Sequence, residues 1–431
     1  MSTVKTLIVV DVKQGWPMFQ LDVNNAFLHG DLDEEVFMKL PPSVGTSSSS
    51  VPLVCRLRKS LYGLRQASKQ WYAKLSQALH SRGYTHSLND YSLFTRGSGK
   101  SMVILIVYVD DIILTGTDEF EIASLKEFLN LQFKIKDLGS LNYFLGIEVL
   151  HTPSGVLLHQ KKFIHDLLAN FNSSDCSPVT CHPELNVKLK AREGDPLPNP
   201  ETYRSFIGKL NFLTHTRPDL SFAVQHLSQF IQQPCFPHMK VALHLLRYLK
   251  GTSDFGLFFS NSPDLSLQAY CASDWGSCLD SRRSISGFYI FLGGSLIGWK
   301  SKKQVVVSLS SVEAEYRSMS KVMAGITWVC RLLSNFWVSS ASPVPLYCDS
   351  ISAIHIARNP IFHERTKYIE LDCHFVRSKL TEGLISLSHT SSTSQLADVF
   401  TKPLCGPSHH LHIRKLGVLS PSNLRGAVEI G

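Results

Sequence analysis

The chain has 431 residues, 44% of them hydrophobic and 18% charged, enough apolar material for two or three cores and too much for a disordered tail. Lys+Arg 43 against Asp+Glu 35 give a formal charge of +8, an excess that permits a phosphate-backbone partner without requiring one. No apolar run approaches the roughly 18 residues needed to span a membrane, and no basic segment with a long apolar core follows the first residue, so insertion and secretion are disfavoured. The ten cysteines, among them Cys176 and Cys181 with His182, and Cys271 with Cys278, lack the repeated spacing of a zinc site and fit reduced thiols in an intracellular protein.

In chain order, Phe19-Gln20-Leu21-Asp22 reads as a short apolar strand that ends in a carboxylate and runs into a loop closing at Gly30. Residues 46–50 are a polar low-complexity run and read as an exposed loop. Residues 69–82 place Trp71, Leu75, Ala78 and Leu79 at helical spacing, a core stripe. Tyr108-Val109-Asp110-Asp111 then sets two adjacent carboxylates at the turn between the apolar runs 103–107 and 112–114. Two negative charges against such strands are unfavourable unless cations neutralise them, and paired divalent ions are the arrangement used for in-line displacement at phosphorus. Asp22 supplies the third carboxylate this requires; solvated turn carboxylates are the competing reading of the pair taken alone.

Residues 161–171 carry a second helical stripe in Phe163, Ile164, Leu167, Leu168 and Phe171. Residues 191–200, with three prolines and a glycine, read as a connector, and the turn-rich 261–264 marks a further boundary. From Leu265 the predicted order is strand, strand, strand, helix, strand, helix, strand, helix. Gly293-Gly294 is a hairpin signal between 288–292 and 296–299, and a helix from about Val312 carries Tyr316, Met319, Met323 and Ile326 on one stripe. Two further strands, 344–348 and 383–389, lead to Asp349 and toward Asp398. This is the element order of the ribonuclease H fold.

The strings QLDVNNAFLHGDLDEEVFMKLPP (20–42), SLYGLRQASKQWYAKL (60–75), YVDDIILTG (108–116) and LGSLNYFLGIEV (138–149) occur in this order. With YRSFIGKLNFLTHTRPDLSFAV (203–224), HLLRYLKGT (244–252), RRSISGFYIFLGGSLIGWKSKKQ (282–304), SLSSVEAEYRSMS (308–320) and QLADVFTKPL (395–404) they closely resemble the Pol polyprotein of copia-type long-terminal-repeat retrotransposons, in its reverse transcriptase and ribonuclease H portion. The resemblance implies an α+β polymerase palm and thumb over 1–235 with the fingers incomplete, a connection over 236–262, a ribonuclease H-like mixed-sheet α/β domain over 263–405 and a tail over 406–431 outside any core. It implies Mg²⁺, two per active site and replaceable by Mn²⁺, with an RNA template, a DNA primer, an RNA–DNA hybrid and deoxynucleotide triphosphates as partners, other parts of the same polyprotein beside them, and no membrane. The expected location is intracellular, in a cytoplasmic virus-like particle or the nucleus.

Carried onto this sequence, the resemblance implies metal binding by Asp22, Asp110 and Asp111 and a steric role for Phe27, whose ring would exclude a ribose 2′ hydroxyl; ordinary core is the alternative for Phe27. Gly63 and Gln66 match the nucleotide and template pocket, and Tyr143, Phe144, Leu145 and Gly146 match the primer-gripping hairpin. In the nuclease region the matching positions are Glu315, with Glu313 as the weaker choice, Asp349 and Asp398, and His389 nine residues before Asp398 matches a mobile histidine.

Two departures stand out. The chain opens shortly before Asp22, whereas the family carries an upstream fingers segment with basic residues for the triphosphate, so weak nucleotide binding is expected. The first nuclease aspartate position is Ala272, with Asp274 about 6.6 Å further along the strand as a doubtful substitute. A working enzyme of both activities and a retroelement remnant that binds hybrid but catalyses neither step therefore both stay open. The clusters His363–Tyr368 and Asp372-Cys373-His374 read as a structural or hybrid-contacting helix and loop rather than zinc. Trp299-Lys300-Ser301-Lys302-Lys303-Gln304 reads as a backbone-contact patch or a solvated strand end.

Overall fold

The first helix, α1 (Ser2–Gln14), buries Val4, Leu7, Ile8, Val9 and Val10 with little amphipathic contrast, as an enclosed helix does, and Gly15 ends it in the left-handed region (φ 68°) with its N–H bonded to the Asp11 carbonyl. In this computed structural model every residue is described except 42–52, 181–188, 340–342, 360–368, 405 and 427–431. The loop expected at 46–50, Cys181 with His182, and the cluster at 363–368 therefore lie outside the described residues. The chain divides into two compact units: a smaller one of Trp16–Leu145 with Asn335–Trp337, and a larger one of Met1–Gly15, Gly146–Ser334 and Val338–Gly431. Residues expected on either side of 235 and 262 thus share the larger unit.

The smaller unit holds β1 (Met18–Val23), the hairpin β2 (Asp31–Lys39) with β3 (Val54–Lys59), α2 (Ala67–Ser81), β4 (Thr85–His86), β5 (Leu93–Arg96), β6 (Val103–Tyr108), β7 (Asp111–Gly116), α3 (Glu119–Phe133), β8 (Ile135–Ser140) and the two-residue β9 (Tyr143–Phe144). Six strands form one antiparallel sheet in the order β4-β5-β6-β7-β1-β8. The apolar runs flanking the Asp-Asp pair are its centre, with 103–107 and 112–115 all buried. The stripe of α2 packs there through Trp71, Leu75 and Leu79, with Ala78 partly buried, and α3 adds Ile122, Leu125, Leu129 and Phe133.

The larger unit continues with β10 (Ile147–Thr152), β11 (Gly155–His159), α4 (Lys161–Asn170), α5 (Pro200–Leu213), α6 (Ser221–Leu227), α7 (Phe236–Gly251) and β12 (Gly256–Ser260). Then come β13 (Leu267–Asp274), β14 (Ile285–Leu292), β15 (Ser295–Lys303), α8 (Ser311–Asn335), β16 (Val344–Cys348), α9 (Ile351–Arg358), α10 (Glu370–Thr381), β17 (Ile385–His389), α11 (Gly406–Lys415), β18 (Val418–Leu419) and α12 (Pro421–Gly426). The predicted stripe of α4 is buried at Ile164, Leu167 and Leu168, and a helical core joins it to α5, α6 and α7. A second core lies on the sheet β15-β14-β13-β16-β17, antiparallel from β15 to β13 and parallel from β13 to β17. Gly293 and Gly294 both take positive φ (52° and 72°), the two-residue hairpin turn their sequence signals.

The tail is a correction. β18 pairs with β12 antiparallel to extend the sheet β18-β12-β11-β10, and His409, His412, Ile413, Leu416 and Val418 are buried. A composition rich in Ser, Pro, Gly and His misleads here because two histidines face inward: His409 stacks edge-on to Tyr248, and burial drops its pKa to about 4, so it enters the core neutral.

Arg217 is fully buried. Its guanidinium donates to both Asp219 oxygens (3.0 and 2.7 Å), to the Thr252 carbonyl (2.8 Å) and to the Thr252 hydroxyl (2.9 Å), and the Tyr248 hydroxyl donates to Asp219 (2.8 Å). Removing one member strands a buried charge, which costs about 3–5 kcal/mol. Arg217→Leu is therefore expected to destabilise the larger unit by that amount in urea unfolding, and Arg217→Leu with Asp219→Leu by clearly less than the sum of the two single changes.

Candidate active sites

The register of the central strands decides where the first carboxylates fall. Asp22, next to last in β1, lies directly opposite Asp111, the first residue of β7, while Tyr108 pairs with Asp111 across the hairpin that carries Asp110. The structure thus brings the three predicted aspartates to one end of the sheet. The turn is strained: Val109, a β-branched residue, has φ 58°, a conformation costing on the order of 1–3 kcal/mol. Two bonds hold it. The Trp71 indole donates to the Val109 carbonyl at 2.6 Å, and the Val23 N–H donates to the Asp110 carbonyl at 2.8 Å.

Burial first, then the charges of Asp110 and Asp22, raise the Asp111 carboxyl above its ordinary value, against a long hydrogen bond of 3.4 Å from Gln20. Among the described residues no lysine or arginine pairs with any of the three. A hard, oxygen-seeking divalent cation suits such an uncompensated donor set.

Phe27 sits in the short 3₁₀ turn Ala26–His29, partly packed on the sheet core, its ring 4.4 Å from that of Tyr62. Tyr62 is the residue the motifs did not single out, although it directly precedes Gly63. Tyr62 is exposed; the little burial it has and then the nearby Asp110 raise its hydroxyl pKa, with Asp22 adding a smaller push. Gly63 takes φ 98°, which requires glycine. Gln66 is the N-cap of α2, its carbonyl accepting the Gln70 N–H. Tyr143 is exposed and Phe144 buried. Leu145 and Gly146 both have positive φ, and a Cβ at Gly146 would meet the Phe212 ring at 2.7 Å.

In the larger unit the positions predicted for a nuclease gather at the ends of β13 and β16 and on α8. Glu315 is buried and accepts the Ser273 N–H at 2.7 Å; burial, then Cys348 and Asp349, hold its carboxyl well above the ordinary range. Ligand atoms of Glu315, Cys348 and Asp349 lie within 4.8 Å of one another. Asp349 accepts from Ser392 at 3.3 Å through one oxygen, and its other oxygen is buried without a partner. Asp398 is raised by burial even though Lys402 pairs with it at 2.8 Å, and the pKa of Lys402 rises against its own burial because Asp398, Asp274 and Asp349 surround it.

Ala272 is buried opposite Gly287, with Asp274 two residues on, opposite Ile285 and raised by burial. Glu313, the weaker choice, turns away to pair with Arg317 at 2.8 Å. His389 is exposed at the end of β17, opposite Cys348. Sequence reasoning missed Lys402 and Cys348. The spacing Asp398 to Lys402 is one helical turn, a signal available in the sequence; the inward direction of Cys348 was not.

Residues 1–184 match the family described as reverse transcriptase (RNA-dependent DNA polymerase). The chain is 40% identical over 430 residues to the retrovirus-related Pol polyprotein from transposon RE2 of Arabidopsis thaliana, covering 100% of this chain and 30% of that protein. It is 41% identical over 418 residues to the corresponding polyprotein from transposon RE1 of the same plant, covering 97% and 28%, and 34% identical over 414 residues to that from transposon TNT 1-94 of Nicotiana tabacum, covering 93% and 31%. The chain thus spans about a third of the length of these relatives. No helix among the described residues is long and apolar enough to cross a membrane.

Two predictions follow from the geometry. Trp71→Phe leaves the Val109 carbonyl without its donor and is expected to cost about 1–3 kcal/mol in chemical unfolding of the smaller unit. Asp111 and Glu315 both bind a proton more tightly folded than unfolded, so each lowers stability as pH rises above the unfolded carboxylate values of 3.8 and 4.5. With divalent ions chelated, Asp111→Asn and Glu315→Gln should each melt higher than the parent chain at pH 7, and the gain should vanish below about pH 4.

Proposed function

The chain belongs to the reverse transcriptase family of copia-type retrotransposon Pol polyproteins, and on that premise we propose that it copies RNA into DNA by two-metal transfer of deoxynucleotides to a primer, with a ribonuclease H region toward its C-terminus. The observation that carries the polymerase reading is the register that sets Asp22 against Asp111 beside Asp110 while, among the described residues, no cationic side chain pairs with them. Divalent magnesium bound there supplies positive charge to the primer hydroxyl and the triphosphate.

The side chains do the rest. The three aspartates fix where that charge sits, and the Trp71 bond to Val109 keeps the hairpin tip from relaxing. Phe27, backed by Tyr62, presents a flat apolar wall where the sugar lies and disfavours a 2′ hydroxyl by contact. Gly63 and Gln66 lie in the segment that leads from Tyr62 into α2, and in this reading they meet the nucleotide and template.

For the nuclease region, the strand order β15-β14-β13-β16-β17 and the gathering of Glu315, Asp349 and Asp398 support hybrid cleavage as the ancestral chemistry. Ala272 specifically favours the second reading, a remnant that binds hybrid without cleaving it: the carboxylate expected at that position is absent, and Lys402 already neutralises Asp398.

Primer extension on an RNA template with Mg²⁺ tests the first part. Extension should fall about a hundredfold or more in Asp110→Asn, and Phe27→Ala should raise ribonucleotide incorporation relative to deoxynucleotide. Absence of extension by the folded parent chain with either Mg²⁺ or Mn²⁺ would overturn the polymerase reading. On an RNA–DNA hybrid, Ala272→Asp should raise cleavage at least about tenfold over the parent chain; equal cleavage by both would mean that the site does not depend on that position.

A further inference from the structure

The lysine-rich end of β15 is not used by either candidate active site. It forms one wall of a cleft of about 400 Å³ within the larger unit, whose other wall is the end of α5 together with α6 and the turn after it. β15 is the edge strand of its sheet, where unpaired backbone groups need cover, and α6 lies against it. Two hydrogen bonds fix the walls: the Trp299 indole donates to the Ser221 hydroxyl at 3.1 Å, and Lys303 donates to the Gln229 amide oxygen at 2.6 Å. The Lys5 ammonium lies 3.4 Å from the centroid of the Trp299 ring, which backs that wall.

The chemistry of the lining is one-sided. Lys300 and Lys302 are exposed, two residues apart on one strand face and so about 6.6 Å from each other along it, and among the described residues no carboxylate lines the cleft. The remaining lining is amide and hydroxyl apart from the Trp299 indole. Three lining side chains keep hydrogen-bonding capacity that the fold leaves unused: the Gln225 Oε1 acceptor, the Gln229 Nε2 donor and the Ser301 hydroxyl are all buried without a partner. Each unmet group is unfavourable, so the cleft calls for a ligand with anionic oxygens for the lysines and Gln229 and a hydroxyl donor for Gln225. A phosphodiester strand of DNA supplies the first and lacks the second. A ribose strand supplies both through its 2′ hydroxyl.

We infer that the cleft between α6 and β15 binds the ribose–phosphate backbone of an RNA strand in preference to DNA, on the side of the ribonuclease H-like sheet formed by its edge strand. The inference rests on the proposed function insofar as RNA is a substrate of the chain. Lysine footprinting separates the two. The full chain is acetylated with and without a 20-nucleotide single-stranded RNA, or DNA of the same sequence, and modification is read at each lysine by mass spectrometry.

RNA is expected to slow acetylation of Lys300 and Lys302 at least threefold, DNA distinctly less, and Gln225→Leu to remove the difference between RNA and DNA at these two lysines while protection elsewhere persists. RNA that protects other lysines while Lys300 and Lys302 react as in the free chain overturns this inference and leaves the polymerase reading standing. Equal protection by RNA and DNA overturns the preference, and absence of protection at every lysine overturns both readings together.

Discussion

Crowding three carboxylates onto the end of a sheet with an apolar interior is the constraint around which the smaller unit is organised. Charges of like sign repel, and buried strands screen them poorly. The fold answers with stiffness rather than with counter-charge. Val109 is forced into a backbone conformation that valine disfavours, and the Trp71 indole, itself locked by the stripe of α2 and edge-on to Phe133, holds the turn carbonyl in place. Packing of α2 therefore determines the position of two aspartates in a different element. The raised carboxyl of Asp111 is the residue of that arrangement, a free-energy cost that a bound cation would relieve.

The larger unit meets the same difficulty by internal neutralisation. Glu315 lies deepest, and the Ser273 amide is its compensation; Lys402 stands among Asp398, Asp274 and Asp349 and brings positive charge with it; Ala272 withholds a negative one. Each of these features lowers the repulsion that a divalent ion would otherwise relieve, and each therefore lowers the affinity for that ion. Burial first, then negative charge at Cys348 and Asp349, pushes the Glu315 carboxyl toward its protonated form. The two sites share a carboxylate-rich character and differ in who balances the charge, which is why a residue pattern alone puts them on an equal footing and the geometry does not.

Sequence reasoning reached as far as periodicity and turn chemistry carry. The hairpin about Asp110, the stripes of α2 and α4, the Gly293-Gly294 turn and the succession of five strands after Leu265 are local or near-local signals present in the fold, while two helices, α9 and α10, stand where one was expected between β16 and β17. What it missed is set by tertiary contact. Tyr62 was passed over because an aromatic beside a glycine carries no mark of the acids it faces, and Lys402 because a lysine one turn after an aspartate is usually a solvated pair. The tail was misjudged because histidine counts as polar by composition, yet His409 is accommodated neutral against Tyr248. The same holds for α1, whose apolar face has meaning only through the strands β12 and β15 that cover it.

Buried polarity by itself does not mark function, and Arg217 shows why. It is fully enclosed, as is its partner Asp219, and four donated hydrogen bonds, two to the Asp219 carboxylate and two to Thr252, answer its charge from within the fold. Its pKa shift is large, and upward because Asp219 and Tyr248 outweigh its burial, and it is structural. Asp111, Asp349 and the amides of Gln225 and Gln229 are less buried and less satisfied, with a weak partner, an orphaned oxygen or an idle amide group at each. The discriminating quantity is thus the hydrogen-bonding and charge capacity that the folded chain leaves unspent, rather than depth or the size of a perturbation. By that measure a ligand would add to the aspartates at the hairpin tip and to the cleft along β15, and would add nothing to the Arg217 network.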